Sequence, residues 1–260
     1  MKNESKIILG DCLKKMKEIK TNSFDHCITD PPYNISNYSG KKQIGWYKSN
    51  PTWKDDKKFI KIDEKWDSFS EDDYFNFTIE WMNEVFRIVK PNGNILIFGT
   101  YHNIYKIGYI LSKKDKRIVN SIIWYKRNAF PNITLRMLCE STEQIIWSVN
   151  NTNKKAKNWI FNYKEMKELT HNKKQMRNMW DIPMTSVSEK RFGKHPSQKP
   201  VEVIERLIKG CTNKNQKIID PFSGSGTVPL VCALNKRQYL GIEKDKEYYK
   251  ISVNRLKNLK

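Results

Sequence analysis

Two short segments of the chain combine residue types that can bind a ligand and polarise it. The first, Asp30-Pro31-Pro32-Tyr33, follows an apolar run and places a carboxylate beside two prolines and an aromatic ring. Proline restricts φ and lacks a backbone N–H, so this backbone is stiff and offers carbonyl oxygens without competing donors. A carboxylate beside such a carbonyl can accept both hydrogens of an exocyclic amine. The alternative interpretation is an ordinary turn, because Asp-Pro and Pro-Pro both favour turns.

The second segment is a glycine-rich loop, DPFSGSGT at Asp220 to Thr227, between a predicted strand and a predicted helix. Glycines at such a turn let the backbone approach a ligand and direct a helix N-terminus at an anionic group. Glu243 closes the next strand about 20 residues further on, where an acid can hold ribose hydroxyls. The loop lacks the Gly-Lys-Ser/Thr of a Walker loop and the third glycine of the dinucleotide fingerprint. A tight strand-to-helix turn is the alternative.

The elements that must position these segments form an α/β pattern. Short β-like runs alternate with helical patterns, which is typical of a sheet covered by helices on both faces. Strands are predicted at Lys6 to Asp11, Phe24 to Asp30, Asn94 to Gly99, Ile118 to Tyr125, Glu143 to Val149, Lys217 to Asp220 and Gln238 to Glu243. No helix is predicted between the fourth and fifth of these strands, so they should pair antiparallel. Ser70 and Pro200 are expected to open two of the helices.

Two irregular stretches are rich in lysine and aromatic residues. Residues 41–65 hold eight lysines against four acids, within a loop at 34–65 that is long for a compact domain and so indicates a functional segment. Residues 151–199 hold twelve Lys or Arg against four acids, and apolar periodicity fades there. The whole chain of 260 residues has 48 basic and 28 acidic residues, a net charge of +20. This excess predicts a polyanionic partner.

Composition also limits the class of protein. Hydrophobic residues make up 38% and aromatic residues 12% of the chain, enough for a packed core rather than a disordered chain. No apolar run approaches the roughly 18 to 20 residues of a membrane span, and the apolar patch near the N-terminus is too short for a signal peptide. We therefore expect a cytoplasmic bacterial protein. The five cysteines are scattered without a CxxC pair, so neither a disulfide framework nor a metal site is predicted.

Taken together, the motifs resemble the DNA amino-methyltransferases that use S-adenosylmethionine, specifically the permuted β group and most closely its N6-adenine members. The matching segments are ILGDC at Ile8 to Cys12, DPPYNIS at Asp30 to Ser36, KWDSF at Lys65 to Phe69, HPSQKP at His195 to Pro200, DPFSGSGT at Asp220 to Thr227 and GIEKD at Gly241 to Asp245. The resemblance implies a Rossmann-like methyltransferase fold with circularly permuted motif order. Its central sheet would be mostly parallel, with one antiparallel strand pair and helices on both faces.

The resemblance also implies roles for individual residues. The catalytic group would be Asp30, Pro31, Pro32 and Tyr33, with the Asp30 carboxylate and the Pro31 carbonyl accepting the two N–H bonds of the target amine. The cofactor-binding group would be Asp11, Cys12, Asp30, Ser197, Lys199, Asp220, Phe222, Gly224, Gly226, Thr227 and Glu243. Within it, Lys199 and Ser197 would meet the cofactor carboxylate and Glu243 the ribose. We interpret His195 as structural, and Trp66 and Asp67 as residues that could close over the target base.

The same resemblance divides the chain and names its partners. Residues 1–150 would be the catalytic half with the basic loop 34–65, residues 151–194 a basic insertion for target recognition, and residues 195–260 the cofactor-binding half. Double-stranded DNA would be the partner, with the adenine flipped out of the helix. A homodimer and a cognate restriction endonuclease are compatible with this assignment. The alternatives are transfer to the N4 amine of cytosine, methylation of RNA or a protein amide, and a catalytically silent DNA-binding subunit.

Overall fold

The computed structural model of this chain describes residues 5–35, 67–132, 136–151, 157–170 and 173–259. Within these ranges, strands and helices alternate along most of the chain. The strands are β1 (Lys6–Leu9), β2 (His26–Thr29), β3 (Asn94–Gly99), β4 (Arg117–Tyr125), β5 (Thr142–Val149), β6 (Met179–Asp181), β7 (Lys217–Asp220) and β8 (Gln238–Glu243). The helices are α1 (Cys12–Lys17), α2 (Glu71–Ile88), α3 (Ile104–Lys113), α4 (Tyr163–Glu168), α5 (Val201–Cys211), α6 (Thr227–Leu234) and α7 (Lys246–Lys257).

The strands form one sheet in the order β1-β8-β7-β2-β3-β5-β4-β6. Neighbouring strands are parallel except that β5 runs antiparallel to both β3 and β4. The predicted fold class, a mostly parallel sheet with an antiparallel pair, is therefore confirmed. Strands β7 and β8 lie between β1 and β2, so the N-terminal and C-terminal parts of the chain interleave in a single sheet.

Hydrophobic cores lie on both faces of the sheet. One face is covered by α1, α2 and α3, whose Met16, Trp81 and Ile107 are buried against the strands. The other face is covered by α4, α5 and α6 through Met166, Leu207 and Val231. Because both faces are covered, the central strand β3 is buried at every position, as its apolar run from Ile95 to Phe98 predicts.

Local signals set several element boundaries. The Ser70 side chain accepts a hydrogen bond from the Asp73 amide and so caps α2, as predicted. That helix ends just before Pro91. Helix α3 begins at Ile104, because the Asn103 side chain accepts the Thr100 amide and holds a turn there.

The basic insertion at 151–194 differs from its prediction. Its described residues include α4 and β6, and β6 extends the sheet beside β4. Trp180 is 4% exposed and Ile182 2% exposed, both within the core. The expectation of irregular structure across this stretch was wrong, because elements of three and six residues are too short to produce a hydrophobic period. A recognition role for the rest of the segment stays a prediction.

Some predictions fall outside the described residues. These predictions concern residues 36–65 of the basic loop and Trp66. Among the described residues, none of the helices combines the length and the apolar character that crossing a bilayer requires.

Candidate active site

A cavity of about 740 Å³ opens at the carboxyl edge of the sheet. Strands β1, β2, β7 and β8 end there, and ligands of open α/β sheets bind at this edge because the loops that follow parallel strands converge on it. Of the residues predicted for the site, those that line the cavity are Asp11, Cys12, Asp30, Pro31, Pro32, Tyr33, Ser197, Lys199, Asp220, Phe222, Gly224, Thr227 and Glu243. Segments almost two hundred residues apart in sequence therefore share one cavity.

Glu243 and the glycine-rich loop form one side of the cavity. The Glu243 carboxylate accepts the Gly224 amide and the Asp245 amide, both at 2.7 Å. Burial raises the pKa of Glu243 to about 7, although these amides oppose the rise. Gly224 has φ +50°, and a Cβ atom there would lie 2.9 Å from Nε2 of His195. The loop thus needs glycine at 224 to keep both its conformation and its distance from His195.

Gly226 does not line the cavity, although it was predicted to bind the cofactor. Its φ is +75°, and a Cβ atom would lie 2.7 Å from Cβ of Ser252 on α7. Glycine is therefore required at position 226 because α7 packs closely against this part of the backbone. Thr227, which does line the cavity, accepts a hydrogen bond from Arg255 Nη1 at 2.9 Å.

Asp11 and Cys12 begin α1 at the opposite side of the cavity. The Asp11 carboxylate caps this helix by accepting the Lys14 amide at 3.2 Å, and Lys244 Nζ lies 3.5 Å from its other oxygen. Burial, together with the Asp11 charge, raises the pKa of the Cys12 thiol to about 12. Cys12 therefore remains a neutral, unreactive thiol.

Asp220 and Phe222 connect the cavity to the core. The buried Asp220 carboxylate accepts the Thr29 hydroxyl at 2.8 Å and the Phe222 amide at 3.2 Å. Burial raises the pKa of Asp220 to about 7. The Phe222 ring packs edge-on against Trp81 of α2, with centroids 5.4 Å apart, so its position is set by the helix.

The Asp30 to Tyr33 tetrapeptide is held from behind by two buried side chains. The Tyr74 hydroxyl of α2 donates to the Pro32 carbonyl at 2.7 Å. The Asp67 carboxylate, 2% exposed, accepts the amides of Asn34 at 2.7 Å and Ile35 at 3.0 Å. Asp67 also lines the cavity, and its carboxylate is engaged with the backbone of the loop, so its closing over a target base stays a prediction. Asn34 itself has φ +59°, a turn conformation that asparagine tolerates.

Asp30 belongs to a buried cluster of charges. Its Oδ2 atom pairs with the Lys199 ammonium, and its Oδ1 atom accepts the Tyr33 hydroxyl at 2.5 Å. Lys199 Nζ also lies 3.3 Å from Glu143 Oε2, and Lys126 Nζ lies 3.3 Å from Glu143 Oε1. Burial raises the pKa of Asp30, although Lys199 opposes this. Burial also raises the pKa of Tyr33, with both carboxylates adding to the effect, so its hydroxyl stays protonated.

The partners of Lys199 are protein groups, and its contact with a cofactor carboxylate stays a prediction. Its ammonium donates to Asp30, to Glu143 and, at 3.2 Å, to the Ser197 carbonyl. These three acceptors match its three hydrogens, so Lys199 would have to give one up to meet a cofactor carboxylate. Burial alone would lower the pKa of Lys199, but the two carboxylates raise it. The structure therefore joins Lys199 to Asp30, the residue predicted to be catalytic.

His195 lies between the glycine-rich loop and α7. Its ring meets the Tyr248 ring edge-on, with centroids 4.2 Å apart. Burial, with a contribution from Lys199, lowers the pKa of His195 to about 3, which keeps the ring neutral. Ser197 follows with its amide 3.3 Å from His195 Nδ1. This packing agrees with a structural interpretation of His195.

Glu143 was missed by the motif analysis, which placed it only at the start of a strand. Its side chain is 13% exposed and pairs with two lysines. Burial opposes ionisation of Glu143, but Lys199 and Lys126 outweigh it and lower the pKa. The sequence did contain a signal for this role, which is an acidic residue next to the apolar run of β5. A buried acid requires a partner, so its position indicates a charge pair.

Comparison with known proteins identifies the family. The DNA methylase family, designated N6_N4_Mtase, matches residues 24–254. The chain is 37% identical over 257 residues to the type II methyltransferase M2.LlaDCHI of Lactococcus lactis subsp. cremoris, covering 98% of this chain and 90% of that protein. It is 37% identical over 258 residues to the type II methyltransferase M2.DpnII of Streptococcus pneumoniae, covering 98% and 91%.

A solved structure agrees with this family. The crystal structure of the M1.HpyAVI–SAM complex superposes with a TM-score of 0.68 at 28% identity, covering 98% of this chain and 99% of that chain. The resemblance seen in the motifs is thereby confirmed across nearly the whole chain. With the cavity at the carboxyl edge of the sheet and the acidic tetrapeptide at its mouth, the chain belongs to the DNA methylase family.

Proposed function

We propose that this enzyme transfers a methyl group from S-adenosylmethionine to the N6 amine of adenine in double-stranded DNA. The observation that carries the proposal is the single cavity, which brings the glycine-rich loop and Glu243 together with the Asp30 tetrapeptide. One part of this arrangement suits a nucleoside cofactor and the other suits a planar amine. Methyl transfer requires the two groups to be held next to each other.

The residues of the cavity fit S-adenosylmethionine. Its volume of about 740 Å³ lies within the range of ligand sites, roughly 300 to 1,000 Å³. Glu243 holds two amides yet keeps lone pairs that can accept ribose hydroxyls. Close backbone approach at Gly224 leaves space that a side chain would occupy. When bound, the cofactor supplies a methyl group activated by a positively charged sulfur.

The chain then has to position and polarise the amine. Asp30 and the Pro31 carbonyl accept its two N–H bonds, so the nitrogen lone pair turns away from the ring and toward the methyl group. As the new N–C bond forms, the bond between the methyl carbon and the cofactor sulfur would break and S-adenosylhomocysteine would leave. Positive charge then grows on the nitrogen, and the nearby carboxylate of Asp30 stabilises it. The nitrogen finally loses a proton to water. No protein side chain forms a covalent bond in this scheme.

DNA must present the base outside its helix. An amine in a stacked, paired base is out of reach of a cavity at the sheet edge, so the adenine is flipped and the Tyr33 ring replaces part of its stacking. The charge of +20 holds the phosphates. We further infer that the enzyme acts in the bacterial cytoplasm and is paired with a restriction endonuclease that recognises the same DNA site, since the relatives named above are type II methyltransferases.

The acid at position 30 favours adenine over cytosine. Both amines suit two acceptors, but the tetrapeptide of cytosine-N4 relatives more often begins with serine, whereas this one begins with Asp30. Incubation of unmethylated DNA with the enzyme and cofactor, digestion to nucleosides and mass spectrometry tests the choice. N6-methyladenine is expected. N4-methylcytosine without N6-methyladenine would overturn the assignment.

A separate measurement tests the cofactor site. Gly224→Ala should weaken S-adenosylmethionine binding about 5- to 30-fold, because a left-handed φ disfavours alanine by about 1 to 2 kcal/mol and its Cβ would press on His195. Gly108→Ala on α3 is the matched control, since a Cβ there meets only Ile146 at 3.6 Å. If calorimetry gives equal affinities for wild type and Gly224→Ala, the cofactor does not bind against this loop.

A further inference from the structure

Two hydrogen-bond donors in the active site are shared between two carboxylates. The Tyr33 hydroxyl lies 2.5 Å from Asp30 Oδ1 and 3.2 Å from Glu143 Oε2. The Lys199 ammonium pairs with Asp30 Oδ2 and lies 3.3 Å from the same Glu143 oxygen. Each donor that occupies Asp30 therefore has a second acceptor within reach, and that acceptor is Glu143 in both cases.

This arrangement conflicts with the acceptor role of Asp30. Lys199 neutralises the Asp30 charge, and both Asp30 oxygens already hold a donor, so the carboxylate is a weakened acceptor for a target amine. Asp30 is also the member of the cluster that is most open to the cavity, with 20% of its side chain exposed against 13% for Glu143 and 6% for Lys199. An incoming amine would meet Asp30 first and compete with Tyr33 and Lys199 for its oxygens.

We propose that Glu143 is a positioning residue that takes over the Tyr33 hydroxyl and the Lys199 ammonium from Asp30 when the target amine binds. The inference rests on the proposed function, because it presumes an amine at Asp30. Transfer of the two donors leaves the Asp30 charge available to the nitrogen on which positive charge develops. No proton leaves either donor in this exchange.

Lys126 equips Glu143 for this role. Its Nζ lies 3.3 Å from Glu143 Oε1 and balances one charge from the far side, which leaves Oε2 facing the two shared donors. The groups facing the pair come from several elements: Lys126 after β4, Glu143 on β5, Lys199 before α5, and Asp220 at the end of β7, whose pKa the Asp30 charge helps to raise. The cluster of Asp30, Glu143, Lys126 and Lys199 is neutral as a whole, so redistribution of donors costs no net charge.

The first test is Glu143→Gln under single-turnover conditions, with enzyme in excess over PCR-amplified genomic DNA, which is free of methylation. The rate of methyl transfer should fall about 10- to 100-fold, as it does when residues that orient metal ligands are changed. S-adenosylmethionine affinity should stay within about twofold, since the contacts of Glu143 are with Asp30, Tyr33 and the lysines. Glu205→Gln is the control, because Glu205 pairs with Lys209 on α5 at 2.8 Å.

The pH profile separates positioning from simple damage. The Glu143 charge raises the pKa of Asp30, so its removal should move the acid limb of the rate to lower pH even as the maximum rate falls. A variant that only loosened the site would admit water and lower the rate without that shift. An unmoved acid limb in Glu143→Gln would overturn the proposal.

A double variant tests the transfer of the donor directly. Tyr33→Phe keeps the ring but removes the hydroxyl that would stay on Asp30 once the Glu143 charge is lost, because the neutral amide oxygen left by Glu143→Gln accepts it more weakly than the Asp30 carboxylate does. Added to Glu143→Gln, it should raise the rate by at least about threefold, a coupling expected only between interacting residues. Additive losses would contradict the proposal.

The remaining outcomes are distinct. If the wild-type enzyme transfers no methyl group, the proposed function is refuted. If the wild type is active and Glu143→Gln is equally active, only the role of Glu143 is refuted. If Glu143→Gln fails to fold, Glu143→Asp decides, because it keeps the charge and shortens the reach to both donors. Its rate should fall with binding of the cofactor unchanged, and full activity would refute the inference.

Discussion

At the residue scale, Asp30 carries the largest expected effect. Asp30→Asn keeps the shape but removes the charge, so methyl transfer should fall about 10² to 10³-fold, as for removal of one preorganised polar group. Cofactor affinity should remain, because Lys199 and Tyr33 can stay on Glu143 and hold the site together. Label transfer to DNA and calorimetry measure the two quantities. Asp72→Asn on the exposed start of α2 is the control. A comparable loss of rate in that variant would show that the effect of Asp30→Asn is not specific to the site.

Asp220 is predicted to set part of the pH dependence of stability. Its pKa is about 7 in the folded chain against 3.8 ordinarily, so the folded state keeps a proton that the unfolded state releases. This contribution to the free energy of unfolding is complete below about pH 4 and is lost as pH rises through about 7. Glu243, with a pKa of about 7, acts in the same direction.

Asp220→Asn removes that proton while its amide oxygen can still accept Thr29 and the Phe222 amide. The free energy of unfolding, measured in urea, should therefore fall less between pH 4 and pH 7 for the variant than for wild type. Above pH 7 the variant should be the more stable of the two, because it buries no charge. Parallel curves for the two proteins would show that Asp220 does not hold a proton in the folded state.

At the scale of elements, the loop after β2 depends on one contact from the segment before α2. Asp67 accepts the amides of Asn34 and Ile35 and so ties the end of the tetrapeptide to the start of that helix. Asp67→Ala leaves both partly buried amides without their acceptor, and the cost for each is at most the roughly 1 to 3 kcal/mol of a fully buried group. We expect a lower free energy of unfolding together with a lower rate of methyl transfer.

Asp67→Asn is the matched variant for that prediction. It keeps one acceptor oxygen, so its losses should lie between those of wild type and Asp67→Ala. Urea unfolding and single-turnover rates give the two readouts. If Asp67→Ala retains full stability, the hydrogen bonds at 2.7 and 3.0 Å do not hold the loop.

At the scale of the whole molecule, charge and sheet direction predict how DNA binds. The site opens at the carboxyl edge, so lysines near that edge should meet phosphates, while lysines in loops at the amino edge should not. Lys41, Lys42, Lys57 and Lys58 belong to the basic loop, outside the described residues, and remain predicted to bind DNA. Changing all four to Gln should flatten the slope of log affinity against log salt by about 0.9 for each phosphate that these lysines neutralise.

The control for that prediction removes the same charge from the amino edge of the sheet. Lys20, Lys114, Lys214 and Lys236 are exposed and precede β2, β4, β7 and β8. Their joint change to Gln should leave the slope close to that of wild type. Equal effects of the two quadruple variants in salt-dependent binding would show that total charge, and not the basic loop, sets the affinity.

The sequence by itself determined the class of fold, the family and most of the cavity lining. Strand and helix periods are local properties, so β3 was predicted at its observed bounds and the α2 cap at Ser70. Asp30, Gly224 and Glu243 were recognised because each lies in a short contiguous motif. Such motifs reflect backbone geometry and ligand contacts within a few residues, which a single sequence records directly.

Only the tertiary structure decided which charges meet. Glu143 lies on β5, Asp30 follows the end of β2, and these two strands are not neighbours. Lys199 comes from a loop before α5, so the pairing of the three residues depends on sheet order and strand direction. The same holds for Asp67, whose partners are two amides 32 and 33 residues away, and for Gly226, whose small size serves α7. Contacts between distant segments follow from three-dimensional packing, and no local pattern in the chain encodes them.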